Sequence, residues 1–81
     1  MLEVIAVRYQ GNVSMLKLAD GTVVTKQFFL RQLLAGREAF TRPLPPAEGA
    51  RIYLVQVGVF EFLSIDPVGT TKDDLGPLPT F

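Results

Sequence analysis

The alternation of apolar and polar side chains divides the chain into short strands arranged around one helix. Residues 2–9 are rich in β-branched side chains and apolar at successive positions, Leu2, Val4 and Ala6 alternating with Ile5, Val7 and Tyr9. That pattern predicts a strand apolar on both faces, and therefore a central one, covered by a helix on one side. Gln10-Gly11-Asn12 reads as a turn, and residues 13–19 as a second strand with Leu16 and Leu18 on one face and Lys17 on the other.

Asp20-Gly21 predicts a two-residue primed hairpin turn, whose positive φ aspartate tolerates and glycine adopts freely. Residues 22–24 then return as a strand onto residues 13–19. Thr25 stands where a hydroxyl can cap a helix starting at about Lys26, with Val24 and Phe29 at the two positions of a hydrophobic staple. Gly36 is placed to end that helix, with Arg31 and Arg37 near the negative end of its dipole. Phe29, Leu30, Leu33 and Leu34 share one stripe, which must lie on a sheet. Phe28 projects to the opposite side, beside Gln32 and Ala35. A loop folding over it is the first expectation, and a binding aromatic the second.

Beyond the helix, residues 38–41 predict a short edge strand. The following RPLPP, residues 42–46, must be extended, because proline fixes φ and removes amide donors. It resembles the minimal ligands of SH3-type domains, but a stiff loop that blunts a sheet edge is the preferred reading. Ala47-Glu48-Gly49 reads as a turn. Residues 50–65 then form two strands with Gly58 near their junction: Tyr53, Val55 and Val57 share one face and Ile52 and Leu54 the other, while Phe60 and Phe62 oppose Val59, Glu61 and Leu63. Hairpin tips are normally polar. Valines on both sides of Gly58 therefore imply a tip buried in an oligomer, or else one long strand with a bulge at Gly58; the hairpin is the reading adopted. Asp66-Pro67-Val68-Gly69 is a further turn. The proline-rich ending, TTKDDLGPLPTF, reads as a clasp pinned by Leu75, Leu78 and Phe81.

The alternation predicts one α+β domain over residues 1–81, an antiparallel sheet of about five strands with one α-helix packed on a face. A small SH3-like barrel with one helix is the alternative, because strand alternation looks the same in both. Composition adds a partner to this picture. The 81 residues are 48% hydrophobic and 20% charged, and a domain of this size buries only about 60 to 65% of its unfolded surface. The apolar excess predicts burial against a second copy or an unidentified protein partner.

Several residues of the chain resemble a family of small bacterial proteins known only as a domain of unknown function. The likeness lies in VIAVR (residues 4–8), in LADGTVVTK (18–26), and in the ending, where FEFLS, DPVG and DDLGPLPTF follow one another from residue 60 to 81. That ending resembles the family's closing pattern of two Asn or Asp residues, Leu, two variable residues, Leu-Pro, one variable residue and an aromatic. Asp73 and Asp74 stand where the family often has asparagine, and RPLPP and the apolar Gly58 region are less typical of it. The resemblance brings no activity with it.

Missing residue types close off several chemistries. Without cysteine there are no disulfides and no thiol catalysis, which suits a reducing cytoplasm. Without histidine there is no histidine metal site or serine-histidine pair. The start of the chain shows no signal-peptide pattern, and the apolar run 52–60 is far shorter than the roughly 18 residues of a membrane span. Acid-base candidates reduce to Asp66, Asp73, Asp74, Glu61 and the tyrosines, and the 66–74 spacing does not match a calcium loop. Asp73 and Asp74 are expected to cap a turn or to pair with Lys72 or an arginine. No catalytic, metal or cofactor site is predicted.

Charge is uneven: residues 1–60 carry seven basic against four acidic side chains, and residues 61–81 one against four. If Arg31, Arg37 and Arg42 met on one face they would make a small anion or nucleic-acid site. The sequence pI of about 6.1 favours solvated charges instead. The predicted function is a binding module, self-associating as a homodimer through Phe28, Val57, Val59 and Phe60, with nucleic-acid or phosphate binding through Arg31, Arg37 and Arg42 as the alternative.

Overall fold

A computed structural model of the chain describes residues 1–43, 48–66, 68 and 72–81. Strands β1 (Leu2–Gln10), β2 (Asn12–Leu18), β3 (Val23–Thr25) and β4 (Ala39–Thr41) form one sheet in the order β3-β2-β1-β4, and helix α1 (Lys26–Leu34) packs on it. Strands β5 (Tyr53–Val57) and β6 (Phe60–Ser64) form a second, two-stranded sheet. The fold is α+β with one helix on a sheet, as the alternation predicts, and the described residues form no closed barrel.

Strand β1 is central, as its two apolar faces require. Its register shifts between Val4 and Ala6 and between Arg8 and Tyr9, while between them Ala6 and Val7 pair regularly with Lys17 and Leu16 and are both buried, on opposite faces. The hairpin after β2 differs from the predicted two-residue primed turn. Leu18 donates to the Thr22 carbonyl, so the loop holds three residues, Ala19 to Gly21, and of these only Gly21 has positive φ (90°). Asp20 keeps negative φ and accepts from the Thr22 amide at 2.9 Å through Oδ1.

Thr25 caps α1, its Oγ1 accepting from the Phe28 amide at 3.1 Å. At the other end Gly36 (φ 91°) donates to the Leu33 carbonyl and Arg37 to that of Gln32, the paired closure of a Schellman motif. The buried stripe is narrower than predicted: Phe29 is fully buried and Leu30 and Leu33 partly so, but Leu34 is 68% exposed. With nine residues and a length of about 14 Å, the helix carries the chain from β3 at one edge of the sheet to β4 beside β1. This crossover makes β4 parallel to β1, the one departure from antiparallel pairing among the named strands.

Residues 38–41 predict an edge strand, but β4 is covered on both sides. Beyond β1 it meets residues 50–52, with Thr41 donating to the Ala50 carbonyl and Ile52 to that of Ala39 at 2.8 Å each. This contact joins the hairpin β5–β6 to the main sheet. It also brings Gly49 so close that a β-carbon there would lie 2.6 Å from the Thr41 carbonyl oxygen.

The ending is a clasp, as predicted. Asp74 bonds β6 through the Leu63 carbonyl and the Ile65 amide, Leu75 and Leu78 enter the core, and Pro79 and Phe81 bond Val7 on the β1 edge beyond β4. The Arg8 guanidinium lies 4.7 Å over the Phe81 ring. One core results, drawn from the main sheet, α1, Ile52, Leu63 and the clasp. Leu44, Pro45 and Pro46 of RPLPP, Ala47, Pro67 and Gly69 of the DPVG turn, and Thr70 and Thr71 of the ending lie outside the described residues.

Candidate interaction site

The hairpin β5–β6 sets two different surfaces a few residues apart. Its register is regular, from Tyr53 opposite Ser64 to Val57 opposite Phe60, and it closes through Gly58 and Val59. Gly58 alone has positive φ (61°), as a II′ turn with glycine at its first central position requires. No bulge interrupts the pairing, so the hairpin reading of the Gly58 region holds over the bent-strand alternative.

At the tip the apolar side chains face solvent: Val59 is 88% exposed, Phe60 64% and Val57 48%. The Phe60 ring stacks on Phe62, centroids 6.3 Å apart and planes within 21°. With Val57 and Asn12 these two rings line a shallow groove. Phe28 is half-exposed, so no loop covers it fully, and it is not part of that groove. The structure therefore sets Val57 and Phe60 on one groove, with Val59 exposed in the turn between them, and Phe28 is not among the residues that line it. Phe62 is the member that sequence reasoning left out; its spacing of two from Phe60 on one strand face was the available signal.

The base of the hairpin is fastened by Asp73. Its buried carboxylate accepts from the Val13 amide (2.8 Å) and the Lys26 ammonium (2.7 Å) through Oδ2, and from the Leu63 amide (2.8 Å) through Oδ1. One side chain thus ties β2, the start of α1 and β6 together. Its partner is Lys26, not Lys72 or an arginine. Asp74 accepts from the Gly76 amide at 2.9 Å and Asp66 from the Val68 amide at 3.0 Å, so both shape local turns. The acid-base candidates of the tail are engaged in structure, and no group of three or more potential metal ligands occurs among the described residues.

The Tyr9 hydroxyl is pushed above its ordinary value, first by burial, with the Asp74 and Asp73 carboxylates adding to the effect and a hydrogen bond with the Leu75 backbone opposing it. The exposed Asp20 carboxyl is held below the usual range, chiefly by the Thr22 amide.

Of the three arginines of the predicted anion site, only Arg37 lines a hollow with other described residues. Arg37 precedes β4 and Arg42 follows it, and Arg42 reaches Glu3 at 3.5 Å. Arg31 is exposed on the last turn of α1. Arg37 instead shares a small hollow with Arg51, whose guanidinium lies 5.6 Å from the Tyr53 ring centroid, and with Glu38. Arg51 is far from Arg37 in sequence and joins it only through the β4 contact. None of the described helices is long and apolar enough to cross a membrane. Comparison with protein-family models, with curated proteins and with solved structures finds no match to this chain.

Proposed function

We propose that the chain is a non-catalytic interaction module that associates with a second copy of itself through the hairpin β5–β6. The observation that carries this reading is the outward apolar tip of Val57, Val59 and Phe60 on a regularly paired hairpin. Isolated surface apolar residues are ordinary, but three in succession around a turn, backed by a stacked ring, form a patch that water solvates poorly. A cysteine-free chain with an apolar surface of this kind suits the cytoplasm, and we place it there. A noncatalytic role is supported by the bonding of Asp66, Asp73 and Asp74 within the fold.

Sedimentation tests the reading. The wild-type chain is expected to sediment as a dimer at micromolar concentration and Val59→Asp as a folded monomer, because the substitution puts a charge at the centre of the patch without touching the core. A Val59→Asp chain that dimerises as strongly as wild type would count against the tip.

One observation favours a second reading, anion or nucleic-acid binding: Arg37 and Arg51 stand together beside Tyr53. Glu38 in the same hollow and the Arg42–Glu3 pair weigh against it. A titration with single-stranded DNA or RNA showing no salt-dependent affinity removes it.

A further inference from the structure

We infer that two copies of this chain pair edge to edge through β5, antiparallel, about a two-fold axis at Val55. The inference rests on the self-association reading and specifies its geometry. It starts from Leu63, whose amide donates to Asp73 and whose carbonyl accepts from Asp74, both on the side of β6 away from β5. Its cross-strand neighbour Leu54 therefore stands in a non-hydrogen-bonded pair, with its own N–H and C=O turned away from β6. The period of two turns those of Gln56 the same way. Two residues before Leu54, the same edge is in use: the Ile52 amide donates to Ala39. Beyond it the edge passes the first residue of β4, where Arg37 and Glu38 share a hollow with Tyr53 and Leu54, and among the described residues the backbone groups of Leu54 and Gln56 make no hydrogen bond.

This open edge lacks the devices that keep natural edges apart. Residues 52–60 contain no charged side chain and no proline, and β5 has no bulge. The free stretch also fits itself. Pairing about Val55 sets Leu54 opposite Gln56 of the second copy and Tyr53 opposite its Val57, so the outward N–H and C=O groups of both chains are satisfied and no like charges meet. Each strand turns at Gly58, opposite the Ile52 of the other copy whose amide already bonds β4, and the pairing ends there. The open part of β6 offers no equivalent: a two-fold there sets Glu61 against Glu61 of the second copy, like charges directly opposed. Charge selects β5, and the product is a continuous four-stranded sheet carrying Val57 and Phe60 of both copies.

Because the chain has no cysteine, Val55→Cys introduces a single thiol at the two-fold, where facing Cα atoms of a non-hydrogen-bonded pair stand about 4.5 Å apart, within disulfide range. Under oxidised glutathione it is expected to form an intermolecular disulfide about tenfold faster than Val23→Cys on the exposed β3 strand. Gln56→Pro removes an amide that bonds nothing among the described residues, so it is expected to keep the far-UV spectrum while the dimer constant falls about tenfold or more. If Gln56→Pro misfolds, the cysteine rates decide alone. A wild-type dimer in which Val55→Cys cross-links no faster than Val23→Cys overturns edge pairing and leaves self-association standing. A wild-type chain that is monomeric at every concentration overturns both.

Discussion

The base and the tip of the hairpin β5–β6 are made alike in backbone and oppositely in side-chain environment. At the base, Leu63 is fully buried, Ser64 nearly so, and the Leu63 backbone is bonded on its outer side by the clasp. At the tip, four residues away, Val59 and Phe60 face water and, among the described residues, the outer edge of β5 at Leu54 and Gln56 is unpaired. Regular pairing between the two strands holds both ends in register, so the tip is presented on a paired support although nothing among the described residues covers it. Stability is concentrated where Asp73 draws three elements together, and the apolar excess is displayed where it costs the fold little.

The largest expected effect lies at the base. Asp73→Ala leaves the Lys26 ammonium and the amides of Val13 and Leu63 without their acceptor, and is expected to cost about 3 to 5 kcal/mol. Urea denaturation would show it; a loss below about 1 kcal/mol would mean that water replaces the carboxylate. Next comes the β4 contact. Gly49→Ala forces a β-carbon against the Thr41 carbonyl and Pro43 and is expected to cost about 1 to 3 kcal/mol, read as a lower denaturation midpoint. At the tip the same kind of measurement should find little: Val59→Asp is expected to change monomer stability by no more than about 0.5 kcal/mol. A large loss there would erase the contrast between the two ends.

Part of this contrast was readable along the chain. Thr25 and Gly36 act through neighbours within a turn or two, so the ends of α1 follow from local chemistry. The valines flanking Gly58 announced an apolar tip for the same reason. The role of Asp73 could not be read, because its donors Val13, Lys26 and Leu63 are 60, 47 and 10 residues away. Likewise the covered position of β4 depends on residues 50–52 folding back, and the meeting of Arg37 with Arg51 follows from that contact rather than from any spacing.

The smallest effect concerns pH. Tyr9 sits beside the clasp with its pKa raised, so the folded state favours the neutral hydroxyl. That contribution is whole below the unfolded value of about 10 and is lost as pH rises through the folded value. The melting temperature is expected to fall on the alkaline side less steeply in Tyr9→Phe than in wild type. Identical alkaline slopes would show that Tyr9 is free of the clasp.

The central claim is that the tip exists to meet a second copy, and the solution mass by light scattering across a range of concentration tests it most directly. The account predicts a mass approaching twice 8.9 kDa as concentration rises, reverting to one chain when Val59 is replaced by aspartate. A mass of one chain at every concentration would contradict it.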